Sequence, residues 1–503
     1  MAWWHGAVFY QIYPRSFHDT NGDGVGDIKG IIEKLDYLEW LGVDALWISP
    51  VFPSPMADFG YDVSDYCDVD PVFGSLADMD QLISDAHTRG MRVIIDWVPN
   101  HTSEEHLWFQ ESRSSRENPR RDWYIWRDAN PDGSLPNNWL SSWNNEPDWT
   151  LDPTTGQYYL HCFLPQQPDL NWANINVRRA MADTLRFWLN RGIDGFRMDV
   201  IHLIGKDPAL PDDPEDLLFV GHVPLNDVPE THAYLKEIRE VLKEYPGDRV
   251  SVGEVYLLEP EAVATYYGER DELDLSFNFM SLLTPWRAQS WHELIHRTET
   301  AHLRAEAWPT WVLSNHDNQR VASRLNGDPT RIRSAALLLL SLRGTPFVYQ
   351  GEELGLLNGD IPPERVVDPG SRDGCRTPMP WNVAYPHGWS GEPWLPFAAD
   401  ADRFAVELQH EDSGSYLSFF RQMLLLRRST EALRWGGLTA LRVDGDLLSY
   451  QRFVGDQFVT VYVNFSREPV VLDHHDRPVL MRSGDDWSSS SRELAPSEAI
   501  IFC

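Results

Sequence analysis

The sequence predicts an α/β fold, a (β/α)8 TIM barrel with an inserted loop domain after its third strand and an antiparallel β domain at its C-terminus. Amphipathic helices alternate with short, almost continuously apolar strands, which is typical of a parallel sheet covered by helices. About 70 residues after the third strand lack this alternation, as expected of an inserted loop domain. The tail of the chain alternates apolar and polar residues, which indicates antiparallel strands.

The alternating unit is clearest near the N-terminus. Leu35, Leu38 and Leu41 share one helical face, Gly42 ends the helix, and the apolar segment 44–49 follows as a strand. The segments predicted as strands are 8–12, 44–49, 93–96, 195–199, 250–254, 273–277, 311–313 and 345–349. Eight such strands favour a closed barrel over an open, doubly wound sheet.

The chain divides into three predicted domains. The barrel is expected over residues 1–100 and 171–435, and the inserted domain over 101–170. The C-terminal domain, 436–503, is expected to resemble a β-sandwich, because segments such as QFVTVYV at 457–463 alternate with period two.

The charge and the cysteines restrict the partners and the compartment. The chain has 43 basic and 76 acidic side chains, a formal charge of −33. Such a field repels phosphates and anionic lipids, so we expect neither nucleic acid nor membrane as partner. Solubility is the simpler explanation of the acidity, and a small neutral substrate is compatible with it. We find no signal-peptide pattern and no membrane-length apolar segment. The scattered cysteines Cys67, Cys162, Cys375 and Cys503 suit a reducing compartment, so a cytoplasmic location is predicted. The oligomeric state is not predicted.

Acidic residues stand where several predicted strands end. Asp96, Asp199, Glu254 and Asp317 each lie at such an end, and in a barrel these ends meet at one rim, where chemistry takes place. Carboxylates close together raise one another's pKa, which allows one of them to stay protonated near neutral pH. Arg197 lies two residues before Asp199 on a strand and therefore faces the same side, where it would hold that carboxylate ionised.

Five segments, which follow one another in a fixed order along the chain, resemble the signature segments of a known family. They are DWVPNH at 96–101, QPDLN at 167–171, GFRMDVIH at 195–202, GEVY at 253–256 and NHD at 315–317. The chain resembles the α-amylase family, glycoside hydrolase family 13, and within it the oligo-1,6-glucosidase branch. The resemblance extends from Trp3 to the C-terminal β domain. It implies a retaining, exo-acting α-glucosidase that removes terminal glucose from short α-linked oligosaccharides and uses no organic cofactor.

The resemblance also implies roles for individual residues. Asp199 corresponds to the nucleophile, Glu254 to the acid/base, and Asp317 to the carboxylate that stabilises the transition state. His101 and His316 would donate hydrogen bonds to sugar hydroxyls.

Further residues are implied to shape the sugar pocket. Asp62 would hold the terminal glucose and pair with Arg376, which closes the pocket beyond one sugar and makes the enzyme exo-acting. Tyr61 and Phe163 would line the sugar face, because aromatic rings pack well against sugar C–H groups.

The acidic loop DTNGDGVGD at 19–27 is a candidate calcium site. Its oxygen ligands at alternating positions would be Asp19, Asn21, Asp23, the Val25 carbonyl and Asp27. Position twelve is Gly30 rather than Glu, so the loop is not an EF-hand. An Asx-rich turn without metal is the alternative. Members of the resembled branch carry a structural Ca²⁺ in a similar loop.

Two features of the resemblance disagree about the linkage. A valine directly after the nucleophile, here Val200 after Asp199, resembles the residue found in enzymes that favour α-1,6 bonds. After Glu254, however, this chain has Val255-Tyr256, where strict α-1,6 enzymes have Met-Ser. We therefore expect activity on both α-1,4- and α-1,6-linked substrates. The Pro- and Asp-rich segment 201–230 is expected to shape the aglycone entrance.

Two other functions stay open at this stage. A glucosyl transferase or isomerase that forms trehalose or isomaltulose would use the same covalent intermediate. A non-catalytic barrel relative would lack at least one of the three carboxylates.

Overall fold

Eight parallel strands form a nearly closed barrel in the computed structural model, which describes residues 2–142, 146–214, 227–472, 477–486 and 491–503. This confirms the predicted fold class. The strands are Phe9–Ile12, Ala45–Ile48, Arg92–Trp97, Gly195–Met198, Val250–Gly253, Leu275–Ser276, Thr310–Val312 and Thr345–Tyr349. Each described pair of neighbours is parallel, and the eighth strand pairs with the first. The Thr310 hydroxyl bridges the sixth and seventh strands by donating to the Ser276 carbonyl at 2.7 Å.

Residues of the strands alternate between two apolar cores. Phe9, Trp47, Ile94, Phe277 and Phe347 fill the barrel interior, while their neighbours along the chain pack outward against helices. The helices that follow the strands are Ile28–Glu33, Leu35–Leu41, Leu76–Thr88, Ile175–Asn190, Pro229–Lys243, Pro260–Thr265, Met280–Leu283, Ala288–Arg304, Val321–Arg324, Pro329–Ser341, Ala401–Phe404, Val406–Glu411, Tyr416–Ser429 and Glu431–Arg434. Since both faces of the sheet are buried, the strands are almost continuously apolar.

Two additional β units flank the barrel. After the third strand, the helix Leu107–Ser114 precedes a three-stranded antiparallel sheet of Trp126–Arg127, Trp149–Asp152 and Gln157–Leu160. At the C-terminus, an antiparallel five-stranded sheet contains Gly437–Asp444, Leu447–Val454, Gln457–Asn464, Val479–Arg482 and Ala499–Phe502, and Val470–Val471 pairs with Glu493–Leu494.

Within the described residues, no helix has the length and apolar character needed to span a bilayer. Cys67, Cys162, Cys375 and Cys503 are free thiols.

Candidate active site

A cavity of about 360 Å³ opens at the rim where the barrel strands end. Asp199 directly follows the fourth strand and Glu254 the fifth, and these strands are paired in parallel with Met198 opposite Gly253. The Glu254 N–H donates to the Met198 carbonyl at 2.9 Å, so the two acids leave the sheet side by side. The predicted site residues that line this cavity are Tyr61, His101, Phe163, Asp199, Val200, Glu254 and Asp317.

One buried guanidinium joins three of the carboxylates. Arg197, 2% exposed, donates from Nη1 to Asp96 at 2.5 Å and to Asp199 at 2.7 Å, and from Nη2 to Glu254. Burial raises the pKa of Asp199 well above its usual range; Arg197 opposes this shift, while Glu254 and Asp96 add to it. Arg197 therefore opposes the effect of burial on the Asp199 pKa without outweighing it, which differs from the prediction that Arg197 holds this carboxylate ionised.

The turn after Asp199 orients Glu254. Val200 adopts a left-handed conformation with φ 34°, which is costly for a β-branched residue. In this conformation the Val200 N–H donates to Glu254 Oε2 at 3.1 Å, and the Ile201 N–H donates to the Glu254 carbonyl at 3.1 Å. The strained turn therefore fixes the second carboxylate relative to the first.

Asp317 faces three nitrogen-bearing side chains. Its Oδ1 accepts from Arg372 at 2.9 Å and from Arg376 at 3.1 Å, and its Oδ2 lies 3.0 Å from His316 Nε2. Burial tends to raise the pKa of Asp317, but His316, Arg372 and Arg376 outweigh it and hold the pKa well below the usual range. Asp317 is therefore an anion throughout the neutral pH range.

The two predicted histidines occupy different positions. His101 lines the cavity beside Phe163, with 5.2 Å between ring centroids. His316 instead stacks on Tyr61 at 5.4 Å and on Tyr13 at 5.7 Å, behind the cavity wall. Burial lowers the pKa of His101 to about 4 and that of His316 to about 3, so both rings are neutral at pH 7.

The predicted pair of Asp62 and Arg376 is not formed, which corrects the prediction from sequence. Asp62 is fully buried and accepts from the Ser54 hydroxyl at 2.8 Å and the Ala57 N–H at 2.8 Å, so it shapes the loop before it. Arg376 is also fully buried and donates to Asp317, Asp368 and the His316 carbonyl.

Asp58 and Arg372 form an ion pair at the cavity wall instead. Asp58 lines the cavity and accepts from Arg372 Nη2 at 2.5 Å, and Arg372 also bonds Asp317. Phe59 and Gly60 both have positive φ, 48° and 109°. The tight turn that they form directs Asp58, rather than Asp62, toward the cavity.

Part of the cavity wall consists of residues that were not predicted as site residues. The additional lining residues are Asp58, Ser142, His202, Leu203, Tyr256, Phe279, Asn315, Asn318 and Arg372. Tyr256 is 46% exposed and lies 5.4 Å from Phe279, which places two aromatic rings on the wall near the acid Glu254. Of the segment predicted to shape the entrance, residues 215–226 lie outside the described residues.

The acidic loop 19–27 is held together by its own side chains. Their oxygens accept backbone N–H groups two or three residues further on, at 2.7–2.8 Å, in the pairs Asp19–Gly22, Asn21–Asp23, Asp23–Val25 and Asp27–Gly30. These are Asx turns, and Asp27 also caps the helix Ile28–Glu33. In the described part of the chain, no three His, Cys, Asp or Glu side chains are grouped closely enough to hold a metal ion, so a calcium ion here would depend on the Asn21 amide and the Val25 carbonyl as well. The calcium ion stays a prediction.

Comparison with known proteins connects this geometry to one family. The family model described as alpha amylase, catalytic domain, matches residues 11–436. A probable alpha-glucosidase of Rhizobium meliloti (strain 1021) is 43% identical over 93% of this chain and 90% of the relative. An oligo-1,6-glucosidase of Heyndrickxia coagulans is 38% identical over 99% of each chain.

The chain is also similar to solved structures of an enzyme named for glucosyl transfer and of a trehalulose synthase. An alpha-glucosyl transfer enzyme is 42% identical and has a TM-score of 0.94, with 100% of this chain and 99% of that chain covered. The trehalulose synthase MutB from Pseudomonas mesoacidophila MX-45 is 35% identical with a TM-score of 0.93, and the coverage is again 100% and 99%.

Proposed function

Because the chain belongs to the α-amylase family of glycoside hydrolases, we propose that it is a retaining, exo-acting α-glucosidase of short α-1,4- and α-1,6-linked oligosaccharides. One observation carries this proposal. Asp199 and Glu254 bond the two terminal nitrogens of the same Arg197 guanidinium and line the same cavity. A retaining glycosidase needs two carboxyl groups this close together, since one attacks the sugar and the other protonates the departing oxygen.

The proposed reaction has two displacements. Asp199 attacks the anomeric carbon while Glu254 gives its proton to the glycosidic oxygen, which breaks the bond to the aglycone and leaves a β-glucosyl ester on Asp199. Glu254, now a carboxylate, takes a proton from water, whose oxygen attacks the same carbon and releases α-glucose. Asp317, kept anionic by its arginines, would bind the hydroxyls of the distorted ring between these states. His101 lines the same cavity, but its Nε2 lies 3.1 Å from the Tyr61 carbonyl and its Nδ1 lies 3.2 Å from the Asn100 amide nitrogen, so a hydrogen bond to the sugar would have to replace one of these contacts.

The exo-action is proposed to depend on Asp58 and Arg372. Their ion pair lies at the cavity wall, where Arg372 also bonds Asp317. A charged pair that bonds the non-reducing glucose leaves no room for a further sugar on that side. We expect maltose and isomaltose to be hydrolysed, with α-glucose as the first product detected by NMR. Polymeric starch as the best substrate, or β-glucose as the first product, would contradict the proposal.

The Asp58 assignment predicts a large and specific loss of activity. Asp58→Asn is expected to lower kcat/KM for maltose about 100-fold, because a charge that bonds the sugar is removed and Arg372 loses one of its carboxylate partners. Asp62→Asn serves as the matched control. Since Asp62 bonds only the loop before it, that variant is expected to lower Tm and to leave kcat/KM within a few-fold. If Asp62→Asn lost activity while Asp58→Asn kept it, Asp62 would be the residue that holds the terminal glucose, as first predicted.

Glucosyl transfer is the second candidate, and the aromatic wall favours it. Tyr256 and Phe279 offer a surface on which an acceptor sugar can stack beside Glu254. The same intermediate then passes to a sugar hydroxyl instead of water. Product analysis at high maltose or sucrose separates the two outcomes: free monosaccharides alone (glucose from maltose, glucose and fructose from sucrose) indicate hydrolysis, whereas new disaccharides or trisaccharides indicate transfer.

We also propose that the loop 19–27 binds a structural Ca²⁺. Asn21 Oδ1 and the two Asp23 oxygens each accept one hydrogen bond and retain a lone pair for the ion. Asp19 Oδ1 and the two Asp27 oxygens already accept two hydrogen bonds each, so these side chains would have to exchange some of those donors for calcium. Chelation is expected to lower Tm by about 2–5 °C without changing kcat at temperatures where the protein stays folded. In Asp23→Ala, whose side chain is exposed, Tm should no longer respond to chelator. Unchanged Tm together with no bound calcium in the wild type would remove the site.

A further inference from the structure

The turn that directs Asp58 into the active cavity is strained. The Tyr61 N–H donates to the Asp58 carbonyl at 3.1 Å, and both of these end residues line the cavity. Phe59 and Gly60, at the centre of the turn, have φ 48° and 109°, and positive φ at both central positions is typical of a type I′ turn. Glycine adopts positive φ freely, but a residue with a large side chain does so at a cost. Contacts of the Phe59 side chain are therefore needed to stabilise this conformation.

The Phe59 ring packs against a cation and a second aromatic ring. The guanidinium carbon of Arg15 lies 5.4 Å from the centroid of the Phe59 ring, within the range of a cation–π interaction. The centroid of the Trp394 ring lies 5.3 Å from that of Phe59 and 5.1 Å from the Arg15 guanidinium carbon. The Phe73 ring lies 5.8 Å from the same carbon. Arg15 thus lies among three aromatic rings, of which Phe59 is one.

The Arg15 guanidinium is held by these rings more than by hydrogen bonds. Its buried Nε and Nη1 have no hydrogen-bond partner among the residues that the structure describes. A guanidinium is a planar, weakly hydrated cation that stacks well on aromatic faces. Of the three rings around it, only Phe59 belongs to a turn whose ends line the active cavity.

Arg15 lies at the barrel rim, in the short helical turn Pro14–Ser16 that follows the first barrel strand. Among the described residues that line the cavity, Arg15 does not occur. The Trp394 ring is fixed to the same region, because its indole N–H donates to the Ser16 hydroxyl at 3.0 Å and its backbone N–H donates to the Gly24 carbonyl at 2.9 Å. Arg15 and Trp394 therefore form a fixed support for the Phe59 ring outside the cavity.

We propose that Arg15 is a positioning residue for the candidate active site. By packing against Phe59 it stabilises the positive-φ turn, and this turn holds the Asp58 carboxylate 2.5 Å from Arg372 Nη2 at the cavity wall. Without this support the chain would relax toward negative φ at Phe59, and Asp58 would move away from Arg372 and from the sugar. The inference rests on the proposed function only in giving Asp58 a direct contact with the non-reducing glucose.

The test is a pair of double-mutant cycles on kcat/KM for maltose, which measure whether two residues act through each other. Arg15→Ala is expected to lower kcat/KM about 10-fold, less than Asp58→Asn, because the carboxylate is displaced and not lost. In Asp58→Asn the same substitution should cost less than about two-fold, since the carboxylate that Arg15 positions is already gone. In Phe59→Gly it should also cost less than about two-fold, because glycine adopts positive φ without a supporting ring.

Two further variants serve as controls. Arg15→Lys keeps the charge but not the planar stacking surface, so a smaller loss of about three-fold is expected. This variant replaces Arg15→Ala in both cycles if the alanine variant does not fold. Arg421 packs on the Trp40 ring at 4.7 Å from the helix Tyr416–Ser429 and takes no part in the contacts of Phe59. Arg421→Ala should therefore leave kcat/KM unchanged.

The outcomes separate the role of Arg15 from that of Asp58. An equal loss from Arg15→Ala in the wild type, in Asp58→Asn and in Phe59→Gly would indicate general damage and would overturn the proposal. A loss that persists only in Phe59→Gly would overturn it too, because Arg15 would then not act through the ring. If Asp58→Asn lost activity and Arg15→Ala did not, only the role of Arg15 would be wrong. If Asp58→Asn itself kept full activity, the proposed contact of Asp58 with glucose would be wrong.

Discussion

Replacing Asp199 by Asn is expected to lower kcat for maltose about 10⁴- to 10⁶-fold, the order of magnitude seen when single residues of a catalytic group are removed. An amide is a poor nucleophile, so the glucosyl ester no longer forms. The fold should survive, because the amide oxygen can still accept from Arg197 Nη1, as Asp199 does at 2.7 Å. The measurement is kcat together with Tm, and a variant that keeps a tenth of the activity would exclude Asp199 as nucleophile.

A smaller substitution at the same position tests the role itself. In Asp199→Gly, added azide should enter the vacated space and attack the anomeric carbon of α-glucosyl fluoride while fluoride departs. One displacement inverts the carbon, so the product is β-glucosyl azide. Rescue that yields the α-azide would contradict the assignment, because it would mean that the covalent intermediate still forms.

The sequence predicted the barrel and its acidic rim because both follow from local patterns. Buried parallel strands are almost continuously apolar, and the residue after each strand lies at the rim. Asp199 and Glu254 could thus be placed on one side of the cavity before any contact was known. Arg197 could be placed with them by the period of two along a strand. Its contact with all three of Asp96, Asp199 and Glu254 required the structure.

The choice between Asp58 and Asp62 shows where local patterns are insufficient. The two acids are four residues apart, and both are buried. Which one faces the cavity depends on the positive φ angles of Phe59 and Gly60, and a Phe gives no signal for such a conformation. The same holds for Arg372 and Arg376, because the loop that carries them has no regular period. Tyr256, Phe279 and Asn318 lie in the segments after three different barrel strands, so no single segment indicates that they converge on the cavity.

Glu254→Gln is expected to have an effect that depends on the leaving group. For maltose, kcat should fall about 10²- to 10⁴-fold, because the departing sugar oxygen needs the proton that Glu254 supplies. Fluoride leaves without a proton, so the first displacement on α-glucosyl fluoride should proceed at a nearly normal rate. The second displacement should become slow, since no base activates water. The intermediate is then expected to accumulate and to be visible as a single added hexose in a mass spectrum of the intact protein.

Azide gives opposite anomers in the two variants, and this difference assigns the two carboxyl groups independently of rate. In Glu254→Gln the nucleophile Asp199 is intact and still forms the β-glucosyl ester. Azide then attacks a carbon that has already been inverted once, so the product is α-glucosyl azide. Because azide is a good nucleophile without help from a base, it should also restore turnover. Loss of Asp199 leaves one displacement and the β-anomer. The residues are neighbours on one guanidinium, so general damage to the site would affect both alike. The same anomer from both variants would therefore show that the roles of nucleophile and acid are wrongly assigned.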